Sequence, residues 1–183
     1  MNSDFISTVT SVLDHHGDRE YAGLGLSVLE HMLQSALEAE TAHAEKHEVV
    51  ATLLHDIGHF VVEFPAEMKN FKDTGHDKAG AALLEPFFSP EIVEPIRLHV
   101  RAKRYLCTVE PSYYDKMTKP VKHTFGLQGG KMSALELNKF RALPFAEEAT
   151  RLRRWCDLGM KPGRKTKGFE EYFPLIRSVL KGE

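Results

Sequence analysis

The hydrophobic positions of this chain recur every three to four residues, which is the spacing of amphipathic helices. Residues 1–17 predict a peripheral N-terminal helix, and residues 26–47 predict a long second helix. Residues 48–59 are apolar nearly all round, as a buried central helix would be. No segment alternates in the manner of a half-buried strand, so the pattern predicts an all-α fold.

Start and stop signals divide the rest of the chain into shorter helices. Ser89-Pro90 supplies an N-cap and a proline at the first helical position, and Ser133–Glu136 forms a capping box. Pro95 should kink the helix that follows Ser89 or delay its start. Residues 60–75 form the longest irregular stretch and could act as a lid.

The helices predict a single domain over residues 1–183. Its metal-binding core should span residues 26–160, and residues 168–181 should form a C-terminal helix. The sequence contains no internal repeat. One core of this length can bury enough apolar surface to fold by itself.

Composition and charge exclude several classes of protein. The 183 residues are 42% hydrophobic and 27% charged, and the net charge of −2 gives no field that would attract nucleic acid. No apolar run approaches the ~20 residues that a membrane span needs, and no signal peptide is visible. Two cysteines, Cys107 and Cys156, cannot build a disulfide framework. We therefore expect a cytoplasmic protein with reduced thiols and no membrane or nucleic-acid partner.

Chemistry-bearing residues concentrate around the adjacent pair His55-Asp56, which directly follows an apolar run. His59 comes four residues after His55 and would share its face on a helix. An adjacent imidazole and carboxylate suit Zn, Fe, Mn or Co better than Ca or Mg. Ten histidines also produce close pairs by chance, so satisfied helix histidines are the alternative interpretation.

Further histidines and carboxylates lie beside the apolar stripes of the predicted helices. A buried polar side chain without a partner costs roughly 1–3 kcal/mol, whereas a metal ion would give each of these groups a partner. Six donors are too many for one tetrahedral ion but suit two ions if Asp56 bridges them. The predicted ligands are His31, His55, Asp56, His76, His99 and Asp157.

Several segments resemble the HD-domain superfamily, whose pattern is a histidine, an adjacent His-Asp pair and a distant aspartate. The closest likeness is to its mixed-valent di-iron oxygenases of the PhnZ type, which cleave a carbon–phosphorus bond. The matching segments follow the family order over most of the chain. They are Tyr21–Leu24, Leu29–His31, Leu53–His59, His99–Leu106, Leu127–Gly130 and Arg154–Asp157.

The resemblance implies an HD-domain helical bundle around a dinuclear site, with two iron ions as Fe(II)/Fe(III) and O2 as co-substrate. It distributes the six predicted ligands over two irons that share Asp56. It also implies catalytic roles for Tyr21, His59 and Lys103. The implied substrate-binding residues are Leu24, His59, Lys103, Thr124, Gln128 and Arg154.

Two positions depart from the PhnZ pattern. Val121 replaces a serine that contacts the phosphonate, and Leu24 replaces a glutamate that recognises a primary amine. A quaternary ammonium has no N–H to satisfy and favours apolar or aromatic surroundings. Leu24 therefore favours the branch represented by TmpB, which acts on 1-hydroxy-2-(trimethylammonio)ethylphosphonate in organophosphonate catabolism. The products would be phosphate and glycine betaine, and an Fe/2-oxoglutarate hydroxylase would supply the substrate.

Three alternatives stay open at this point. The same chemistry could act on 2-amino-1-hydroxyethylphosphonate and give glycine and phosphate. A metal-dependent HD phosphohydrolase could use the same six ligands, with the cationic residues stabilising the charge added at phosphorus. The third alternative is a helical binding module without enzymatic activity, whose histidines lie on its surface.

Overall fold

A computed structural model describes residues 2–21, 23–65, 68 and 75–182. Within these ranges the chain is helical and contains no strand, which confirms the all-α prediction. Two short 3-10 helices span Ile57–Glu63 and Phe169–Tyr172. The α-helices are α1 (Asn2–His16), α2 (Val28–Thr41), α3 (Lys46–Leu54), α4 (His76–Leu84), α5 (Pro90–Val109), α6 (Pro111–Asp115), α7 (Lys119–Leu127), α8 (Ala134–Arg141), α9 (Ala146–Leu158) and α10 (Phe173–Arg177).

Helix α1 contributes its apolar face to the main hydrophobic core. Phe5, Val9 and Leu13 are almost completely buried in that core. The ring of Phe5 lies 4.4 Å from the ring of Phe87, centroid to centroid. The apolar stripe of α1 thus packs against the bundle, and the peripheral position of this helix stays a prediction.

The chain between Leu26 and Leu54 forms two helices. Ser27 caps α2: its hydroxyl accepts the backbone N–H of Glu30 at 3.1 Å, and the Glu30 carboxylate accepts the backbone N–H of Ser27 at 2.6 Å. The helix ends at Thr41, earlier than the predicted residue 47. His43 then adopts a positive φ of 55°, which redirects the chain into α3.

The central motif forms an α-helix followed by a 3-10 helix, not one continuous helix. Helix α3 ends at Leu54, and the 3-10 helix begins at Ile57. This change brings the backbone of Gly58 against α4, where an added Cβ would lie 1.9 Å from the carbonyl oxygen of His76. His55 and His59 therefore do not share a helical face. The ring of His59 stacks on His76 instead, with centroids 4.3 Å apart.

Five helices (α2, α3, α4, α5 and α9) pack around one centre. Helix α5 begins at Pro90 and continues through Pro95, so that proline does not delay its start. Helix α7 was not predicted from the sequence. The C-terminal segment consists of a 3-10 helix and the short α10, not one long helix.

Two further expectations concern the periphery. Half of the predicted lid, residues 66–67 and 69–74, lies outside the described residues. None of the described helices has the length and apolar character that crossing a bilayer requires.

Candidate metal centre

Two groups of side chains with metal-binding atoms meet between the five central helices. Within each group the donor atoms all lie within 4.8 Å of one another. Helices α2 and α9 and the end of α3 supply the first group. Helices α4 and α5 supply two members of the second. The groups are His31, His55 and Cys156, and Asp56, His76 and His99.

The Asp56 carboxylate lies between two pairs of imidazoles. Its Oδ2 atom is 3.5 Å from His31 Nε2 and 3.3 Å from His55 Nε2. Its Oδ1 atom is 3.5 Å from His76 Nε2 and 3.7 Å from His99 Nε2. Oδ2 is buried and has no hydrogen-bond partner within the described ranges. One carboxylate can thus serve two cations, one on each oxygen.

Backbone carbonyls determine which imidazole nitrogen is free to bind. The Nδ1 atoms of His31, His55 and His99 lie 2.9, 2.7 and 2.7 Å from backbone carbonyl oxygens. A carbonyl oxygen only accepts, so each Nδ1 donates its hydrogen and each Nε2 points into the centre, where it can bind a proton or a cation. The facing Nε2 atoms are 3.2 Å apart for His31 and His55, and 3.1 Å apart for His76 and His99.

These facing nitrogens fit metal ions. Two lone pairs at such a separation repel unless a proton or a cation lies between them. Imidazole nitrogen together with carboxylate oxygen is a donor set typical of transition metals. The unpartnered Oδ2 atom of Asp56 would gain a partner from the same ion.

The local charges keep these donors ready for a cation. Burial raises the pKa of Asp56, but His55, His59 and His76 together hold that pKa well below its usual range. Burial lowers the pKa of His76 to about 4. Burial lowers the pKa of His55 too, but the Asp56 carboxylate raises it well above its ordinary value. A proton is thus attracted to the place that a cation would take.

Tyr21 covers the first group of donors. Its ring stacks on the His31 imidazole, with centroids 4.1 Å apart and an angle of 17° between the planes. The turn that holds it is closed by hydrogen bonds from the Tyr21 N–H to the Leu26 carbonyl at 2.9 Å and from the Leu24 N–H to the Tyr21 carbonyl at 3.0 Å. Burial and the Asp56 carboxylate raise the pKa of Tyr21 well above its ordinary value, so the phenol stays protonated. Leu24 is half-buried in the same turn.

Two buried cations lie beside the donors. Lys103 is 4% exposed and Arg153 is 5% exposed. Burial, followed by the charge of Arg153, lowers the pKa of Lys103 to about 8. Arg153 donates from Nε to Asp157 Oδ2 at 3.2 Å and from its terminal nitrogen to the other carboxylate oxygen. Two desolvated cations beside a single carboxylate form a place that suits an anion.

Two predicted residues of α9 lie away from the donor groups. Asp157 pairs with Arg153 and belongs to neither group of donors found in the described residues. The Arg154 side chain is 45% exposed and pairs with Glu110. Their neighbours Arg153 and Cys156 were not among the predicted site residues, and both take buried positions. Helical spacing places Cys156 on the buried side of α9, because it lies four and seven residues after two buried apolar positions, but spacing alone does not indicate a ligand.

Thr124 and Gln128 are two further residues that were predicted to contact the substrate. The Thr124 hydroxyl donates to the Val121 carbonyl at 2.9 Å. The Gln128 Oε1 atom is buried and has no hydrogen-bond partner among the described residues. A cavity of 420 Å³ opens beside Asp157. Its lining includes Tyr113, Met117, Val121, Arg154, Leu158 and Met160.

The chain belongs to the HD-domain family, whose pattern matches residues 28–136. This range contains five of the six predicted ligands and ends before α9. The helical bundle and the buried histidines and aspartate agree with that assignment.

The chain is also similar over almost its whole length to two named phosphonate dioxygenases. It is 38% identical over 177 residues to the hydroxymethylphosphonate dioxygenase of Gimesia maris, which covers 96% of this chain and 88% of that protein. It is 34% identical over 178 residues to the [1-hydroxy-2-(trimethylamino)ethyl]phosphonate dioxygenase (glycine-betaine-forming) of Leisingera caerulea, which covers 97% and 91%. An uncharacterized protein, L432 of Acanthamoeba polyphaga mimivirus, is 28% identical over 178 residues. The predicted kinship with this branch of the family is confirmed.

The geometry predicts two metal ions that depend on Asp56 together. After anaerobic loading with iron(II), we expect elemental analysis to find two equivalents in the wild-type protein. His99→Ala should lose one equivalent, because His99 faces only the second group of donors. Asp56→Ala should lose both, because its two oxygens face both groups. His123→Ala removes an exposed imidazole of α7 and should keep both.

Removal of the metal should also destabilise the protein. A ligand present at about 100 times its Kd stabilises the folded state by roughly 2.7 kcal/mol, so a chelator should lower Tm in the wild type and in His123→Ala. Asp56→Ala should show almost no response to the chelator. Retention of two equivalents by Asp56→Ala would contradict the shared role of this carboxylate.

Proposed function

We propose that the protein is a dioxygenase that cleaves the carbon–phosphorus bond of a 1-hydroxyphosphonate. The observation that carries the proposal is the position of the Asp56 carboxylate between two imidazole pairs, beside the buried cations Lys103 and Arg153. The names of the two phosphonate dioxygenases to which the chain is similar support it.

The proposed cofactor is a pair of iron ions in the Fe(II)/Fe(III) state. The ligands proposed from the site geometry are His31, His55, Asp56, His76 and His99. When bound, such a pair supplies the redox chemistry that allows O2 to react with the carbon next to phosphorus. The backbone carbonyls that accept from Nδ1 would keep the imidazoles in the orientation that binding requires.

The other residues of the site would bind the phosphonate and exclude water. Lys103 and Arg153 present fixed positive charge to a dianion at low solvent exposure, where each charge-assisted hydrogen bond is strongest. His59 lies next to His76 and could donate to a phosphonate oxygen. Thr124 and Gln128 are proposed as further polar contacts. Tyr21 would cover His31 until the substrate takes its place.

The proposed substrate is 1-hydroxy-2-(trimethylammonio)ethylphosphonate, and the products are glycine betaine and phosphate. Leu24 offers no acceptor for a primary ammonium, whereas a trimethylated nitrogen needs none. The cavity beside Asp157 has room for the bulky group, and Tyr113, Met117 and Val121 line it with apolar and aromatic surface. A primary-amine substrate is disfavoured by the same reasoning about Leu24.

Hydroxymethylphosphonate is a second candidate substrate. The Gimesia maris relative is named for it and is 38% identical to this chain. Leu24 does not distinguish the two candidates, since a substrate without nitrogen needs no acceptor either. Cleavage with one O2 would convert hydroxymethylphosphonate into formate and phosphate, which balances all atoms.

The proposal also places the enzyme in a reaction sequence and a compartment. A hydroxylase dependent on iron and 2-oxoglutarate would introduce the 1-hydroxyl group before this enzyme acts. We propose a cytoplasmic location, because Cys107 and Cys156 are both free and buried thiols.

Turnover with and without oxygen tests the reaction class. Iron-loaded protein should release phosphate from the trimethylated substrate only in air, with one glycine betaine for each phosphate. Parallel reactions contain hydroxymethylphosphonate, the primary-amine analogue and a phosphate monoester. Formate from hydroxymethylphosphonate alone would select the second candidate. Oxygen-independent hydrolysis of the ester, without C–P cleavage, would contradict the proposal and identify a phosphohydrolase.

The two neighbouring arginines of α9 should differ sharply in their effect on phosphonate binding. Arg153→Gln removes a buried cation, and a charge-assisted hydrogen bond contributes roughly 1.5–3 kcal/mol, so we expect KM to rise about 10- to 100-fold. Arg154→Gln removes a side chain that is 45% exposed and should change KM less than about threefold. The exposed Arg151→Gln is the matched control. Metal content is measured on every variant, so that loss of metal is distinguished from loss of anion binding. A larger effect at Arg154 would support the contact predicted from the sequence.

A further inference from the structure

We propose that Cys156 is a metal ligand, a thiolate donor to the ion held by His31, His55 and Asp56. It would take the place that the sequence resemblance assigns to Asp157. This inference rests on the proposed metal-dependent function. It concerns the composition of the first metal site, which would then contain two nitrogens, one oxygen and one sulfur.

Four of the distances between donor atoms at this site are close to those of a tetrahedral site. Cys156 Sγ is 3.4 Å from His31 Nε2, which is 3.2 Å from His55 Nε2. Asp56 Oδ2 is 3.5 and 3.3 Å from these two nitrogens. Ligands about 2.0–2.3 Å from a metal ion in a tetrahedron lie roughly 3.3–3.6 Å from each other. These four distances suit a single ion, and the donor atoms of His55 and Cys156 also lie within 4.8 Å of each other.

A second observation points to a ligand at the same place. Asp56 is 1% exposed, and its Oδ2 atom faces this group without any hydrogen-bond partner in the described part of the chain. A weak hydrogen bond between the Cys156 thiol and His31 would satisfy the sulfur alone. It would leave the charged Oδ2 atom buried without a partner, which is costly. A cation among the four atoms satisfies all of them.

The register of α9 keeps Cys156 in this position. His31 Nδ1 donates to the Gly159 carbonyl at 2.9 Å, which ties the end of α9 to α2. A Cβ added to Gly159 would lie 2.5 Å from Ser35 Oγ, so the two helices are in direct contact there. Because successive helical residues point about 100° apart, Cys156 and Asp157 cannot both face His31 and His55.

Asp157 faces another part of the molecule. Its carboxylate accepts two hydrogen bonds from Arg153, which is buried and would lose its carboxylate partner if Asp157 turned to the metal. The Asp157 side chain is 25% exposed and lines the 420 Å³ cavity. Cys156 is completely buried. The pairing with Arg153 and the register of α9 both hold Asp157 away from the first metal site.

Sulfur ligation changes which metal the first site prefers. Binding would form a metal–sulfur bond to the thiolate form of Cys156. A thiolate is a softer donor than a carboxylate and favours Zn, Co and Fe over Mn and Mg. The two metal sites should therefore differ in selectivity, since the second contains only nitrogen and oxygen donors.

Cobalt(II) provides a direct test, because sulfur ligation gives an intense near-ultraviolet charge-transfer absorption that nitrogen and oxygen ligands do not give. We expect this absorption in the wild-type protein and in Asp157→Asn. It should disappear in Cys156→Ser and Cys156→Asp. Cys107→Ser removes a buried thiol outside both donor groups and is the matched control, which should retain the band.

Metal affinity gives a second readout. Cys156→Ser should weaken cobalt binding at one of the two sites by more than the roughly 10- to 100-fold that residues beyond the ligands cause. Cys156→Asp should bind cobalt without the band. It also keeps the inference testable if the serine variant does not fold. A wild-type protein that binds cobalt without the band, together with loss of one equivalent in Asp157→Asn, would overturn the inference and return the ligand to Asp157.

The test of Cys156 as a ligand and the test of the proposed dioxygenase function can fail independently of each other. C–P cleavage by a protein without sulfur ligation would refute the role of Cys156 and leave the dioxygenase intact. Sulfur ligation in a protein that cleaves no phosphonate would support Cys156 and refute the dioxygenase.

Discussion

The structure depends on one buried carboxylate, that of Asp56. It lies within 4 Å of five imidazoles, and the charge is almost inaccessible to water. The effective penalty for burying an ion is several kcal/mol, so the carboxylate needs a cationic partner. Cations on both sides of the carboxylate would satisfy the oxygen and nitrogen atoms together. The bundle is therefore best understood as a scaffold that holds donors apart at metal-binding distances.

Close backbone contacts give the scaffold its register. Gly58 touches the first turn of α4, and Gly159 touches α2, each at a distance that no Cβ would permit. The first contact brings His76 beside Asp56, and the second brings α9 against His31. Backbone carbonyls then orient the imidazoles. Substrate binding would depend on the same helix register, since Lys103 and Arg153 come from α5 and α9 of this bundle.

Much of this arrangement could be predicted from the sequence because it follows from periodicity. His31, Asp56 and His99 were predicted as site residues because they are polar and lie beside the apolar stripes of their helices. The structure brings them together. The single domain, the iron and the roles assigned to individual residues stay predictions. Helix boundaries at the motif could not be predicted, since α3 gives way to a 3-10 helix through the contact of Gly58 with α4.

The register of α9 shows the limit of sequence reasoning most clearly. Its sequence contains two adjacent arginines followed by Trp155 and the pair Cys156-Asp157. The phosphonate-binding cation and the metal ligand therefore each had two neighbouring candidates. Asp157 was predicted over Cys156 because it is a carboxylate, and Arg154 was predicted over Arg153 because of the family resemblance. The choice between neighbours was made by the contact of Gly159 with Ser35, which lies far away in the sequence. A difference of one residue exchanges a carboxylate for a thiol and an exposed cation for a buried one.

The central claim is that Asp56 is shared by two metal ions, and anomalous diffraction from iron-loaded crystals tests it most directly. Data collected on both sides of the iron absorption edge should give two peaks. One peak should lie between His31, His55 and Asp56, and the other between Asp56, His76 and His99. A single peak, or two peaks of which only one contacts Asp56, would contradict the account.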